Sequence, residues 1–98
     1  MKIMDEKLLD ILGDDCTRDM LKAMDRRPKS ALELSRELSI PQTSCYRKLR
    51  LLEENSLVEI VECRLMSNGK RVNYYCAVIR NIFITLDRNM IVKVSAYG

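Results

Sequence analysis

Leu34-Ser35-Arg36-Glu37-Leu38-Ser39-Ile40-Pro41-Gln42-Thr43-Ser44-Cys45-Tyr46-Arg47-Lys48-Leu49 is the stretch on which the fold turns. Just before it, Ser30 opens a short helix, and Glu33 three residues later completes a capping box. Ala31, Leu34 and Leu38 are the apolar positions of that helix. Ser39-Ile40-Pro41 then allows only a tight connection, and proline suits the first position of the next helix. That second helix is expected over about 41–55, stopped at Asn55-Ser56, with Asn55 taking the left-handed conformation. With Gln42 at the origin and about 100° per residue, Cys45, Leu49 and Leu52 fall near about 300°, 340° and 280°, a buried stripe. On the other side stand Thr43, Arg47 and Arg50, near about 100°, 140° and 80°, flanked by Tyr46 and Ser44. The exposed side therefore offers short polar groups at the start of the helix and cations along its length.

Downstream the period changes to two. Residues 57–66 and 71–78 read as strands, joined by Asn68-Gly69 as a two-residue hairpin loop. That loop sets Cys63 against Tyr74 and Cys76 against Val61, on one face with Leu65, Val72 and Val78. A second strand pair is expected at 82–86 and 90–96. A loop of Asp87-Arg88-Asn89 aligns Ile84 with Val92 and Ile82 with Val94. Upstream, Met4, Leu8, Leu9, Ile11 and Leu12 recur at helical spacing and stop at Gly13. Asp14 or Asp15 caps a further helix carrying Cys16, Met20, Leu21 and Met24, which Arg26-Arg27-Pro28 closes. The fold class is α+β, with three or four short helices followed by two hairpins.

The chain has 98 residues, room for one domain. With 47% hydrophobic and 32% charged residues it matches a folded globule rather than a disordered chain. No apolar run approaches the ~20 residues of a membrane span. The first residues do not resemble a signal peptide, so a cytoplasmic protein without a membrane partner is expected. Histidine is absent, which removes the commonest general base and the commonest zinc ligand together. Cys16, Cys45, Cys63 and Cys76 form no C-x-x-C pair, and their apolar company assigns them to packing. The acids form no constellation with a nucleophile, and no glycine-rich phosphate loop exists. The expectation is no enzyme, no metal and no cofactor. The net charge of +3 becomes informative only by segment. Residues 1–40 carry eight basic and nine acidic groups, whereas residues 41–80 carry seven and four. Arg47, Lys48 and Arg50 lie in a stretch, 41–52, that holds no acid, a footprint of phosphate binding.

A short helix, a tight turn, a helix opening at proline and a hairpin with a basic tip resemble a winged helix-turn-helix. Residues 34–49 resemble the helix-turn-helix of ArsR-type transcriptional regulators. Leu51-Leu52-Glu53-Glu54-Asn55-Ser56-Leu57-Val58 is similar to that family's passage from recognition helix to wing, and Leu12-Gly13-Asp14-Asp15-Cys16-Thr17-Arg18 to the opening of its second helix. The family's usual glycine is replaced by Ser56, and its metal-sensing Cys-x-Cys positions fall on Ser30 and Leu32, so that sensor site is absent. Strands at 82–96 stand where many members carry a dimerisation helix, as in some archaeal winged-helix regulators, which makes an archaeal source an expectation.

The resemblance implies a transcriptional regulator, with repression as the expected mode, bound to double-stranded DNA as a homodimer. The recognition helix, about 41–55, would enter the major groove, where its first residues meet base edges. Gln42 suits adenine and Arg47 guanine, while Thr43 or Tyr46 suits a thymine methyl. Lys48 and Arg50 suit phosphates, as do the free N–H groups of Gln42, Thr43 and Ser44 at the helix start. The wing, about 66–72, offers Lys70 and Arg71 to phosphates or the minor groove. Residues 1–80 are expected to form the winged-helix domain and 81–98 a C-terminal hairpin extension of it. Helix one (Met4, Leu8, Leu12) or the terminal strands supply the dimer surface, unless they fold back on the core. The competing readings are a winged-helix protein–protein module and a thiol-switched regulator.

Overall fold

The structure, a computed structural model, describes residues 2–4, 7–79 and 81–97, with side chains described at 7–79 and 81–94. The expected domain boundary at residue 80 lies outside the described residues. In chain order the elements are β1 (Lys2–Met4), α1 (Lys7–Leu12), α2 (Asp15–Ala23), α3 (Ala31–Leu38), α4 (Gln42–Glu54), β2 (Val58–Leu65), β3 (Arg71–Ala77), β4 (Asn81–Leu86) and β5 (Val92–Tyr97). The architecture is the expected α+β helix-turn-helix with antiparallel hairpins. β2 and β3 form one sheet, and a second runs in the order β1-β5-β4.

Local chemistry explains most helix ends. Asp14 caps α2 by accepting from the Thr17 N–H and hydroxyl. Ser30 and Glu33 form the capping box of α3. Ser39 (φ 55°) turns the chain between α3 and α4, and the Ile40 N–H returns to the Ser35 carbonyl. Pro41 stands one residue earlier than expected, as the N-cap of α4. Ser56 (φ 60°), not Asn55 (φ −96°), takes the left-handed position after α4. The Asn55 amide instead donates back to the Leu51 carbonyl. Gly13 does end α1, but without a positive φ.

The core gathers Leu8 and Ile11 from α1, Met20 and Met24, Ala31 and Leu34, the α4 stripe Cys45, Leu49 and Leu52, then Leu57, Val58, Ala77 and Val94. Helix one thus spends its apolar side inside the subunit, which removes it as a free surface. Ile82 and Val92 pack against the same core, so the terminal hairpin is held to it along one face, from near its open end to the rung beside its loop. Met4 belongs to strand β1, paired with Val94, rather than to helix one. A three-residue strand carries too little periodicity to be told from a helix start.

Both hairpins close differently from expectation. In the first, Leu65 pairs with Arg71, the Met66 N–H reaches the Lys70 carbonyl, and Gly69 (φ 82°) is the last residue of a three-residue loop, Ser67-Asn68-Gly69. A register shift between Ile60 and Glu62 accommodates the change as a bulge at Val61. Cys63 therefore faces Asn73, not Tyr74, and Cys76 faces Glu59, not Val61. Alternation along β3 puts Asn73 and Cys76 on opposite faces, so the two cysteines no longer share one. Cys63 is exposed, which corrects its assignment to the core. In the second hairpin the loop is Arg88-Asn89-Met90, with Met90 at φ 62° and the Asp87 N–H bonded to the Ile91 carbonyl. Ile84 faces Val94 and Ile82 faces Ala96, a slip of two residues from the expected pairing. A slip of two keeps every side chain on its face, so the apolar pattern could not detect it.

Candidate nucleic-acid interface

α4 follows the helical wheel closely. Cys45, Leu49 and Leu52 are buried, which leaves Gln42, Thr43, Tyr46, Arg47 and Arg50 exposed on the outer side and Ser44 half-buried at its margin. Tyr46, a large aromatic at 58% exposure, has no packing reason to be there. Proline at the N-cap makes no side-chain bond to the first turn of α4, so no cap closes that end.

The wing stands over this end of the helix. Gln42 and Tyr46 line one groove, of about 470 Å³, together with Asn68, Lys70 and Arg71 from the hairpin tip. Of the nine expected site residues, Gln42, Tyr46, Lys70 and Arg71 meet in that groove and five do not: Thr43 and Ser44 sit beside it in sequence, and Arg47, Lys48 and Arg50 line a shallower concavity further along α4.

 Leu32, 38% exposed, and Asn73 also line the groove, and sequence reasoning missed both. Leu32 breaks the apolar spacing of α3, a signal that was present. Asn73 carried none, because its meeting with α4 depends on how the wing packs against the helices.

Among the described residues, Lys48 differs from the neighbouring cations of α4 in having an ion-pair partner. Its ammonium meets the Asp14 carboxylate at 2.6 Å, tying the middle of α4 to the N-cap of α2. This bond, followed by that from Thr17, holds the Asp14 carboxyl down to about 2. Along the wing, Arg64 pairs with Glu62 and lies 4.4 Å from the centre of the Tyr74 ring. The Arg64 guanidinium also keeps the Glu62 carboxyl below the usual carboxylate range. Those contacts occupy Arg64, whereas no ion pair involving Arg47, Arg50, Lys70 or Arg71 is found among the described residues.

The base of the wing is fixed to the helices. Lys29 and Tyr75 exchange both backbone hydrogen bonds, and the Met24 carbonyl accepts from the Ala77 N–H. The position of the tip relative to α4 is thereby set by the same residues that close the core. Burial pushes the Cys45 thiol up, away from the reactive thiolate form. Among the described residues no cluster of three or more Cys, Asp or Glu side chains is arranged to hold a metal. No described helix is long and apolar enough to cross a membrane.

A search of curated proteins returns no match. A sequence model of the helix-turn-helix domain matches residues 12–61, from the end of α1 through α2, α3 and α4 to the bulge in β2. Covering half of the chain and all of the tri-helical unit around the turn, this match shows that the protein belongs to the helix-turn-helix domain family.

Proposed function

We propose that this protein is a sequence-specific, double-stranded-DNA-binding transcriptional regulator of the ArsR-like winged type, acting as a homodimeric repressor. The observation that carries the reading is the shared groove, in which Gln42 and Tyr46 of α4 stand with Lys70 and Arg71 of the wing. Such an arrangement suits a duplex, whose major groove takes the helix while an adjacent backbone or minor groove takes the hairpin tip. Gln42, Thr43, Tyr46 and Arg47 are the base readers of this proposal, and Arg50, Lys70 and Arg71 its phosphate contacts. Ser44 contributes its N–H at the helix start. Lys48 acts mainly as the strut to Asp14. Residues 1–80 form the binding domain and 81–98 an extension of it, supported by Val94 lying in the common core.

The test is fluorescence anisotropy on a labelled random duplex at two salt concentrations, followed by selection of bound sequences from a random pool. Binding that weakens steeply with salt is expected, because each neutralised phosphate contributes a slope of about −0.9 in log K against log salt. Absence of binding at low salt would overturn the proposal.

A further inference from the structure

β4 is an edge strand of unusual character. It lies at one side of the sheet ordered β1-β5-β4, so one of its flanks is unpaired within the subunit. Its sequence, Asn-Ile-Phe-Ile-Thr-Leu, contains no charge and no proline, and its pairing with β5 runs without a bulge. Those are the devices by which edge strands ordinarily discourage pairing with another chain. The opposite edge, β1, is only three residues long and includes a lysine. Ile84 and Leu86 are 56% and 61% exposed, and Met90 and Ile91 extend the exposed apolar surface at the hairpin tip.

The hydrogen-bond alternation adds a direction. The Asp87 N–H is bonded to the Ile91 carbonyl, so the odd-numbered residues of this strand direct their backbone groups toward β5. Ile82, Ile84 and Leu86 then direct theirs outward. We propose that two copies of this chain pair through β4, antiparallel, about a two-fold axis at Ile84, joining two three-stranded sheets into one. The inference rests on the homodimeric reading above and names its interface.

Self-pairing at this register is complementary throughout. Ile84 meets its own copy, and Ile82 meets the other copy's position 86, a leucine. The three outward residues supply about six inter-subunit backbone bonds. At 82, 84 and 86 apolar residues thus meet apolar ones, Phe83 meets the other copy's position 85, a threonine, and Asn81 meets the partner's position 87, an aspartate whose charge an amide can satisfy. Side chains such as Ile84 and Leu86, exposed by about half, offer roughly 60–100 Å² each. The contact therefore belongs to the small, reversible class, below about 1,200 Å² in total. A dimer whose population depends on concentration is the expected form.

Sedimentation velocity of the full chain from about 1 to 100 µM should show a monomer–dimer equilibrium. Ile84→Lys should remain monomeric throughout while keeping the wild-type circular dichroism spectrum and, at about 1 µM where the wild type is mostly monomer, the wild-type melting curve. In a Cys63→Ser background, Ile84→Cys should form a cross-linked dimer on mild oxidation, since paired Cα atoms there lie about 5.5 Å apart. Thr85→Cys, offset from its own copy by about 7–8 Å, should cross-link far less. A wild-type chain that stays monomeric, or an Ile84→Lys variant that still dimerises, would overturn the interface. Binding of a DNA half-site by monomeric Ile84→Lys separates the two readings. If the variant loses dimerisation and neither protein binds DNA, the interface stands and the DNA-binding proposal falls.

Discussion

Ser56 and Met90 each hold a left-handed backbone that a side chain makes costly, and each ends a turn where glycine would be at ease. Gly69 occupies the corresponding position of the first hairpin loop, with nothing within 4 Å of where a Cβ would stand. Ser56→Gly and Met90→Gly should therefore each stabilise the fold by about 1 kcal/mol, read as a rise in the urea midpoint with unchanged slope. Asp14 makes a prediction in pH. Its carboxyl sits at about 2, below the ordinary 3.8, because Lys48 and Thr17 favour the charged form. The stabilisation it gives is fully present above 3.8 and is lost as the pH falls through about 2. Following the Asp14 carboxyl by NMR should show this low titration in the wild type and a return toward 3.8 in Lys48→Met.

At the level of elements, α4 and the wing should fail in different ways. Arg47→Ala should weaken binding to a selected duplex by about 10- to 100-fold and relax the preference at one position. Lys70→Ala should weaken all duplexes alike and reduce the salt slope by about one. Anisotropy titrations over matched and scrambled duplexes separate the two. The helices of this region were legible in the sequence, because caps and apolar spacing are local: Ser30 with Glu33 and the stripe Cys45, Leu49, Leu52 stand as read, and of the two candidates Asp14 and Asp15 the structure uses Asp14 as the cap. The strands were legible as strands but not in register. Asn68-Gly69 invited a two-residue loop, whereas the chain uses three, and the compensating bulge at Val61 answers to tertiary contacts of Tyr75 with Lys29. Site residues followed the same division. The outer face of α4 could be read from a helical wheel, but the meeting of Gln42 and Tyr46 with the wing depends on long-range geometry. The Lys48–Asp14 bond, 34 residues apart, had no local signature at all.

The whole molecule has one core and two projecting hairpins. Its extents are 57 × 24 × 18 Å, and its radius of gyration of 14.9 Å exceeds the ~13 Å of a spherical domain of this length. A single core implies a single transition. Leu49→Ala, at a fully buried site in α4, should cost about 2–5 kcal/mol out of a total of about 5–15. Thermal melts followed by circular dichroism and by Tyr fluorescence should shift together, and DNA binding should disappear at the same temperature. The bulge in β2 has a further consequence at this scale. Ile60 pairs with Tyr75, whose backbone is clamped by Lys29, and the bulge begins immediately beyond that clamp. The inner part of the wing is therefore a mounting, and the outer part a lever pivoting on Val61. Because pairing on either side of Val61 is regular, removing that one residue would straighten the lever without turning its faces over. The direction of the wing is thus set by a single residue while the core beneath it stays unchanged.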